Sequence, residues 1–551
     1  MPIRSPYADV DIPDVPLHEF LLDMTNSIAD DNPDKKAFIN GANPDDFITF
    51  SQLKEHSAVV AQFLHNRGFV KQTACTVLSN CHQFVPFFFG VSVQGGALSG
   101  ASALFTKYEL SCQLKDAACT LILTDAKHLG LVTRTAKDIS AIKTIIVVGA
   151  KRTELPPSST SGPQFFTWED VIATKVDPNR QPVPINLDED VVLLPYSSGT
   201  TGPPKGVMLT QRNFVAMFSI LAGWIGEVIS EEPEQMLDWS KEHFLLLLPF
   251  YHVYGFGLLC QPLMTGATSV ILDGFEPRLF LLTIEKYRIP LLTVVPPILS
   301  FLAKSPLVKE YDISSVKKIG VGAAPAGKEL IDSAKDALPT IPRFEQGFGM
   351  TELTMTVFMP GPKSRGKFGT VGKLLPNLEM KIVDVTTGEE LPSGKAGELC
   401  VRGPTLMKGY LGRPEATEDA IRDGWLHTGD IAYYDAEGDL FIVDRLKELI
   451  KVKGLQVPPA ELEDLLLSNA RISDVAVIGV PDESAGELPK AFVVRADASL
   501  TEQEVADIVA AKMSKYKHLK GGVEFIDAIP RTPAGKILRK ELRERSVKAK
   551  L

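Results

Sequence analysis

The sequence predicts an α/β fold that is divided into several folding units. Three observations lead to this prediction. A chain of 551 residues is longer than one hydrophobic core usually supports. Short apolar runs alternate with helical patterns along most of the chain, as they do in repeated βα units. Near residue 360 glycine and proline become dense, which is typical of short strands joined by turns.

The apolar runs predict buried strands, because parallel strands covered on both faces have nearly continuous hydrophobic sequences. Residues 211–230 are predicted to form a helix, since their apolar side chains recur along one stripe that would pack on the core. The predicted strands are Thr144–Val148, Val191–Pro195, Phe244–Leu248, Ser269–Leu272, Leu291–Val295 and Lys318–Val321.

From about residue 360 to 445 the pattern predicts a smaller β-rich subdomain, with turns at Thr387-Gly388 and Ser393-Gly394. A last unit is predicted to begin near Asp444-Arg445. It opens with the alternating run Ile450–Gly454, which favours a strand. At Pro458–Glu461 a proline and an acidic residue in the first turn are typical of a helix start.

Composition excludes several classes of protein. With 44% hydrophobic and 23% charged residues, the chain is ordinary globular material rather than a disordered or collagen-like protein. The net charge of −10 argues against nucleic acid as a partner. Residues 501–551, however, carry 12 Lys and Arg against 7 Asp and Glu. This basic end indicates either a small anionic ligand or a solvated helix face.

Cysteine spacing, hydropathy and the C-terminal tripeptide indicate the cellular compartment of the protein. The six cysteines form no C-x-x-C pair, which argues against a structural zinc site and fits a reduced intracellular compartment. Val85–Phe105 and Phe244–Met264 are apolar but contain polar residues or prolines, so we expect buried core and no transmembrane segment. Ala549-Lys550-Leu551 resembles the terminal tripeptide read by the peroxisomal import receptor; otherwise the protein is expected in the cytoplasm.

Residues Tyr196–Gly206 carry the strongest local signal, with three glycines, four hydroxyls and one lysine in eleven residues. Glycines let backbone N–H groups approach an anion, and hydroxyls and a lysine bind phosphate oxygens. A triphosphate is therefore the expected ligand. The segment differs from a Walker A loop because Lys205 precedes Gly206 and an apparent strand, Val207–Leu209, rather than a helix.

Ser197–Gly206 resembles the phosphate-loop signature of the adenylate-forming superfamily, and further motifs follow in the expected order over nearly the whole chain. The sequences of Val443–Gln456 and Pro530–Arg539 resemble those of one branch of this superfamily, the 4-coumarate–CoA ligase-like acyl-CoA ligases. The other matching segments are Pro249–His252, Gly322–Pro325, Gly347–Glu352, His427–Asp430, Asp444–Lys451 and Pro530–Lys536.

The resemblance implies an ATP-dependent carboxylic acid–CoA ligase, an AMP-forming acid–thiol ligase that works in two steps. The carboxylate and ATP give acyl-AMP and pyrophosphate, and coenzyme A then displaces AMP. It also implies an N-terminal adenylation domain, residues 1–445, with two α/β sheet subdomains and the β-rich subdomain. A small mobile α+β C-terminal cap, residues 446–551, is expected to rotate about a hinge near Lys447.

The resemblance assigns roles to particular residues. Thr351 would donate to the α-phosphate, Glu352 would hold Mg²⁺, and Asp430 and Arg445 would bind the ribose. Lys536 would bridge the carboxylate and the α-phosphate in the first step; without the motif it could equally be a solvent-exposed lysine. The other expected ATP- or AMP-binding residues are Ser197, Ser198, Gly199, Thr200, Thr201, Gly202, Lys205, Ala323, Ala324, Gln346, Gly347, Phe348 and Gly349.

The second step is expected to use the other face of the cap. Lys451 and Gln456 would serve thioester formation, and Lys453 and Gly454 would line the coenzyme A channel. His252 would act as a gate, or as a base toward the thiol, unless it is an ordinary core histidine.

The expected acyl pocket comprises Tyr254, Leu258, Met355 and Thr356, near Ala323, Gly347 and Gly349. These positions are mostly apolar and offer no cation for a second carboxylate, so an aromatic or medium-chain monocarboxylic acid fits best. Leu353-Thr354 departs from the small residues common in 4-coumarate ligases.

Three alternatives stay open at this stage: a luciferase-like oxidase, an acyl-AMP ligase that loads a separate carrier protein, and a non-catalytic nucleotide binder.

Overall fold

The computed structural model describes residues 2–157, 162–197, 204–231, 237–364, 367–452, 455–482, 485–532 and 535–548. The predicted import tripeptide Ala549-Lys550-Leu551 lies outside these residues, so peroxisomal import stays a prediction. None of the helices in the described ranges combines the length and apolar character needed to span a bilayer.

The described residues form helices α1 to α15 and strands β1 to β29. The helices are, in chain order, α1 Leu17–Asp31, α2 Phe50–His65, α3 Phe84–Val93, α4 Lys107–Asp116, α5 Leu129–Ala136, α6 Trp168–Ile172, α7 Gln211–Glu231, α8 Val253–Thr265, α9 Pro277–Tyr287, α10 Pro296–Lys304, α11 Lys328–Ala337, α12 Pro414–Ala420, α13 Pro459–Leu467, α14 Glu502–Lys512 and α15 Arg539–Lys548. The strands are, in chain order, β1 Ile3–Arg4, β2 Lys36–Asn40, β3 Phe47–Thr49, β4 Thr73–Val77, β5 Ala97–Gly100, β6 Cys119–Asp125, β7 Thr144–Val148, β8 Gln164–Thr167, β9 Val191–Leu193, β10 Tyr196–Ser197, β11 Lys205–Thr210, β12 His243–Leu246, β13 Thr268–Ile271, β14 Leu291–Val294, β15 Lys318–Val321, β16 Arg343–Gln346, β17 Phe358–Met359, β18 Thr370–Leu374, β19 Glu379–Val383, β20 Gly397–Arg402, β21 Gly409–Tyr410, β22 Ile421–Arg422, β23 Trp425–Tyr434, β24 Leu440–Arg445, β25 Ile450–Val452, β26 Leu455–Val457, β27 Ile472–Asp482, β28 Gly486–Arg495 and β29 Gly522–Phe525.

Residues 36–346 supply nearly all the strands of two mainly parallel systems. The larger sheet has the order β10-β11-β9-β5-β4-β6-β7-β8, with β21 added to β11. The second system comprises the sheet β12-β13-β2-β3 and the short parallel sheet β14-β15-β16. Helices cover these sheets, and α3 is buried over nearly its whole length. The predicted α/β class is therefore confirmed, and the apolar stretches are core.

An antiparallel sheet follows, with the order β1-β19-β20-β23-β24-β18-β17 and β22 paired to β23. Its edge strand β1 comes from the N-terminus, where Ile3 pairs with Met380, a crossing that no local sequence signal indicates. The sheet ends its long hairpin β23–β24 with Asp430 opposite Arg445. Arg445 is the last residue of β24, so Asp430, its partner on β23, lies beside the point where the chain leaves this sheet.

The C-terminal part has its own sheet, β26-β25-β28-β27 with β29 parallel to β28, and its own hydrophobic core. Helix α13 begins with Pro459 at its first position, as the sequence predicts, and packs against β27. Between β24 and β25 the chain makes one turn, in which Leu449 N–H donates to the Arg445 carbonyl oxygen at 3.1 Å. Lys447 lies exposed in this turn.

Candidate active site

The cleft between the antiparallel sheet and the C-terminal part contains Asp430, which is 3% exposed. Its Oδ1 accepts a hydrogen bond from Arg445 Nε at 3.0 Å. Its Oδ2 is buried and has no hydrogen-bond partner among the described residues. Burial raises the pKa of Asp430, while the charges of Arg445 and Lys536 act in the opposite direction. An unsatisfied buried oxygen of this kind is suited to accept a hydrogen bond from a ligand hydroxyl.

Asp430 is held in place by a network of side chains that starts on β20. Glu398 Oε1 accepts from the Gly429 N–H at 3.1 Å, and its Oε2 lies 2.8 Å from His427 Nδ1. Thr428 Oγ1 donates to the Leu399 carbonyl at 2.8 Å and accepts from the Asp430 N–H at 3.1 Å. Residues 427–429 are therefore fixed to the neighbouring strand directly before Asp430.

Glu352 and Thr351 lie together in a short 3₁₀ turn and are both buried. Glu352 Oε1 accepts a hydrogen bond from the Tyr410 hydroxyl at 3.0 Å. The ring of Tyr410 also lies under Lys205, whose Nζ is 4.8 Å from the ring centroid. Tyr410 thus joins the predicted metal-binding carboxylate to the predicted phosphate-binding lysine.

Ser197 and Lys205 pair across the antiparallel strands β10 and β11, so they frame the predicted phosphate loop. The loop residues Ser198, Gly199, Thr200, Thr201 and Gly202 lie outside the described part of the chain.

Lys536 reaches this cleft from the C-terminal part. Burial lowers its pKa and Arg445 lowers it further, whereas the carboxylates of Glu352 and Asp430 raise it. Lys536 therefore interacts electrostatically with residues of the antiparallel sheet and of the 3₁₀ turn. Its loop is closed by the Thr532 N–H, which donates to the Lys536 carbonyl at 2.8 Å. Gly535 has a φ of +81°, and a Cβ there would lie 3.2 Å from Val295 Cβ, so the loop rests on the residue before α10.

His252 caps the N-terminus of α8, where its Nδ1 accepts from the Tyr254 N–H at 3.3 Å. Burial, with a further contribution from the Lys536 charge, lowers the pKa of His252 to about 3. His252 is consequently neutral near pH 7 and a weak base, although it does lie near Lys536.

The predicted acyl-pocket residues gather where two hydrophobic cores meet. Tyr254 packs with the core around α9 and α10, Met355 packs with the larger core, and Leu258 contacts both. A Cβ on Gly322 would approach the Tyr254 ring to 3.0 Å, and a Cβ on Gly257 would overlap the Met355 sulfur. Both glycines therefore make room for a neighbouring pocket side chain.

The loops around this pocket are held by hydrogen bonds and include strained backbone. Ala323 and Met355 have φ values of 67° and 97°, in a region that side chains disfavour. Thr356 Oγ1 donates to the Phe348 carbonyl oxygen at 3.4 Å. The amide of Gln346 makes two 2.9 Å hydrogen bonds with the backbone of Ala326, so it fixes the loop that contains Ala323 and Ala324. Gly347 and Gly349 continue the same chain segment from β16, and a Cβ at Gly349 would overlap the Met355 carbonyl.

Lys451 and Gln456 are opposite each other on the hairpin β25–β26. Lys451 is exposed, and its N–H donates to Glu487 Oε2 at 2.8 Å. The structure thus places the two in one strand pair, but it does not bring Lys451 into contact with Asp430 or Glu352. Lys453 and Gly454 are outside the described ranges.

Sequence reasoning missed Tyr410 and Glu398. Both act through partners far away in the chain: Tyr410 contacts a carboxylate 58 residues away, and Glu398 contacts a histidine 29 residues away. Tyr410 arrives through the pairing of β21 with β11, for which no local pattern exists.

The structure therefore combines a large part that contains α/β sheets with a smaller C-terminal part, whose Lys536 is buried and interacts electrostatically with the buried Asp430. The AMP-binding enzyme family matches residues 26–411, and the AMP-binding enzyme C-terminal domain matches residues 461–536. This chain belongs to the AMP-binding enzyme family.

Two curated relatives align with nearly the whole of this chain. The chain is 40% identical to 4-coumarate--CoA ligase 2 of Nicotiana tabacum, over 98% of this chain and 96% of the relative. It is also 40% identical to 4-coumarate--CoA ligase 1 of Petroselinum crispum, with the same coverage. Among solved structures, the anthranilate CoA ligase AuaEII in complex with anthranoyl-AMP has the same fold, with a TM-score of 0.82 at 24% identity, covering 98% of this chain and 99% of that one.

Proposed function

We propose that this protein is an ATP-dependent carboxylic acid–CoA ligase that first forms acyl-AMP and pyrophosphate and then acyl-CoA and AMP. The observation that carries the proposal is that Lys536, which is buried in the C-terminal part, interacts electrostatically with Arg445, Glu352 and Asp430. Full-length similarity to 4-coumarate--CoA ligases supports the same reaction.

In the first step, two anions have to approach each other, so the site must neutralise charge and align the reacting groups. Lys536 would bridge the substrate carboxylate and the α-phosphate, and Thr351 would donate to the same phosphate. Asp430 Oδ2, which has no partner within the described residues, would accept from a ribose hydroxyl. Lys205 and Ser197 would hold the outer phosphates at the start of β11 and the end of β10.

A divalent cation fits the same site. Glu352 offers a buried carboxylate beside the phosphate-binding elements, and oxygen ligands of this type suit Mg²⁺. Bound Mg²⁺ would neutralise phosphate charge, and Tyr410 would orient Glu352 toward it through the 3.0 Å hydrogen bond.

The second step would use a different arrangement of the C-terminal part. We propose that residues 446–551 form the cap, that residues 1–445 form the adenylation domain, and that the cap turns about Lys447. Lys451 and Gln456 would then replace Lys536 at the site, and Lys453 and Gly454 would contact coenzyme A. The exposed position of Lys451 in the present conformation is compatible with such a later role.

For the acid, we propose an aromatic monocarboxylic acid. Tyr254, Leu258, Met355 and Thr356 would line the acyl pocket, and none of them carries a charge that would pair with a second carboxylate or an amino group. The names of the 4-coumarate ligase relatives support an aromatic ring rather than an aliphatic chain.

The test is a screen for AMP release with ATP and Mg²⁺ across a panel of aromatic, medium-chain, dicarboxylic and amino acids, with and without coenzyme A. We expect AMP release that needs coenzyme A and is fastest with aromatic monoacids. Oxygen uptake without coenzyme A would indicate an oxidase instead. Absence of acid-dependent AMP release over the whole panel would contradict the ligase proposal.

A further inference from the structure

Helix α11, which belongs to the large N-terminal part, has no side-chain cap of its own. Its N-cap residue is Gly327, and no side chain of that segment accepts from the first N–H groups. Helix N-termini with free N–H groups are usually satisfied by a neighbouring side chain or by solvent. The α11 N-terminus is therefore open to a cap from elsewhere.

Asp464, on α13 of the C-terminal part, supplies that cap. Its Oδ1 accepts from the Glu329 N–H at 3.3 Å. The carboxylate lies so close to Gly327 that a Cβ at that position would overlap it. Residues 327 and 464 lie on opposite sides of the proposed hinge, so this is a contact between the two parts that must break if the C-terminal part rotates.

Glu463, the neighbour of Asp464 on α13, connects this helix to the Lys536 loop. The next residue back on α13, Glu463, accepts from Arg539 Nη2 at 3.1 Å and from the Val477 N–H at 2.7 Å. Arg539 opens α15, three residues after Lys536. Because α13, β27 and the start of α15 are tied in this way, fixing α13 on α11 also fixes where the Lys536 loop enters the cleft.

We infer that Asp464 is a positioning residue for the adenylation step: it holds the C-terminal part in the arrangement that presents Lys536 to the ATP site. This inference rests on the proposed two-step ligase function and on the rotation between steps. The hydrogen bond of Asp464 is made to α11, and among the described residues it does not reach the active site or the predicted acyl pocket. Its effect should therefore be confined to the population of the adenylating arrangement.

Two variants test the contact from its two sides. Asp464→Ala removes the cap, and Gly327→Ala introduces a Cβ that displaces it. For each variant, adenylation is measured by pyrophosphate exchange into ATP, and thioester formation is measured with acyl-AMP supplied directly. Asp507→Ala is the matched control, since Asp507 lies exposed on α14 of the same C-terminal part and accepts a hydrogen bond from Gln503 on the same helix. Asp464→Asn, which keeps the Oδ1 acceptor, is the conservative variant.

We expect both alanine variants to adenylate roughly fivefold more slowly, because loss of a helix cap usually shifts an equilibrium by about that factor. Thioester formation from supplied acyl-AMP should be unchanged or faster. The double variant should be no slower than the single ones, because both remove one contact. Asp464→Asn should recover most of the rate, and the control should match the unmodified protein. Equal losses in both half-reactions, or no loss in either, would overturn the inference. If the unmodified protein shows no acid-dependent pyrophosphate exchange, the proposed function itself is wrong.

Discussion

Asp430 and Lys536 show how single residues prepare the cleft for charged substrates. Asp430 keeps one oxygen buried without a partner among the described residues, an arrangement that costs free energy unless a ligand satisfies it. Lys536 is buried near Arg445, and both conditions make its ammonium less stable than in water. A bound nucleotide would stabilise both residues: a hydroxyl could donate to the unpartnered Asp430 oxygen, and a phosphate could pair with the Lys536 ammonium.

Replacing Asp430 tests the proposed ribose contact. In Asp430→Asn the side chain keeps its size, but the charged acceptor is lost, and hydrogen bonds to charged groups are worth about 1.5–3 kcal/mol. We therefore expect the KM for ATP to rise between about tenfold and one hundredfold, with the KM for the acid almost unchanged. Asp423→Asn is the control, because Asp423 is exposed and has a φ of 51°, which asparagine tolerates. An unchanged KM for ATP would remove Asp430 from the nucleotide site.

Lys536 should give adenylation a characteristic pH dependence. The pKa of Lys536 lies below the ordinary lysine value of 10.5, so its ammonium is lost at a lower pH than that of an exposed lysine. Since the proposed role needs the cation, kcat/KM for ATP in adenylation should fall as pH rises through this lowered pKa. Lys536→Arg should be slower at every pH but should lack this alkaline decline, because arginine stays protonated. The same decline in both proteins would assign it to another group.

At the scale of elements, the strand β20 positions the segment that contains Asp430. Glu398 uses both oxygens, one for Gly429 N–H and one for His427 Nδ1, and both partners are donors. Gly429 has a φ of 71°, which glycine adopts without strain, so the turn forms readily and the Glu398 hydrogen bonds set its orientation. Glu398 on β20 thus determines the orientation of Asp430 on β23.

Glu398→Gln should weaken ATP binding without removing any group from the cleft. A glutamine can accept from only one of the two donors, and its amide NH₂ would face the other. We expect the KM for ATP to rise about three- to tenfold, in line with the loss of one hydrogen bond of about 1 kcal/mol, while kcat changes little. Glu379→Gln on the neighbouring strand β19 is a control, since Glu379 pairs with arginines away from Asp430. A fall in kcat at constant KM would indicate a role other than positioning the nucleotide site.

At the scale of the whole molecule, sequence predicted what is local, and structure added what is distant. The runs Thr144–Val148 and Lys318–Val321 are strands with the predicted ends. The run Val191–Pro195 forms a strand only as far as Leu193, although the Leu194 N–H still donates to the Leu98 carbonyl oxygen. The motifs carrying Glu352, Asp430 and Lys536 were recognisable one by one. Tyr410, Glu398 and Asp464 were not, since their roles arise only from strand pairing and from packing between the two parts.

Lys536 and Lys451, both in the C-terminal part, allow the proposal of two arrangements to be tested directly. Lys536 lies in the cleft in this structure, whereas Lys451 is exposed on the hairpin β25–β26. If the C-terminal part alternates between two arrangements, each lysine serves one half-reaction only. Lys536→Ala should lose about one hundred- to one thousandfold in adenylation, the usual loss for one charge-stabilising donor, yet convert supplied acyl-AMP and coenzyme A normally.

Lys451→Ala should show the reverse pattern, with normal pyrophosphate exchange and slow thioester formation. Lys515→Ala is a suitable control, because Lys515 lies in the same C-terminal part, in the short helix after α14, and has no role in either proposed arrangement. Both half-reactions are measured for each variant on the same preparation, so that loss of folded protein lowers them together and is recognised. Lys451 is exposed on β25 in the present arrangement, so a selective loss of thioester formation in Lys451→Ala requires a second arrangement of the C-terminal part. Equal loss of both half-reactions in both variants would therefore exclude alternation about Lys447.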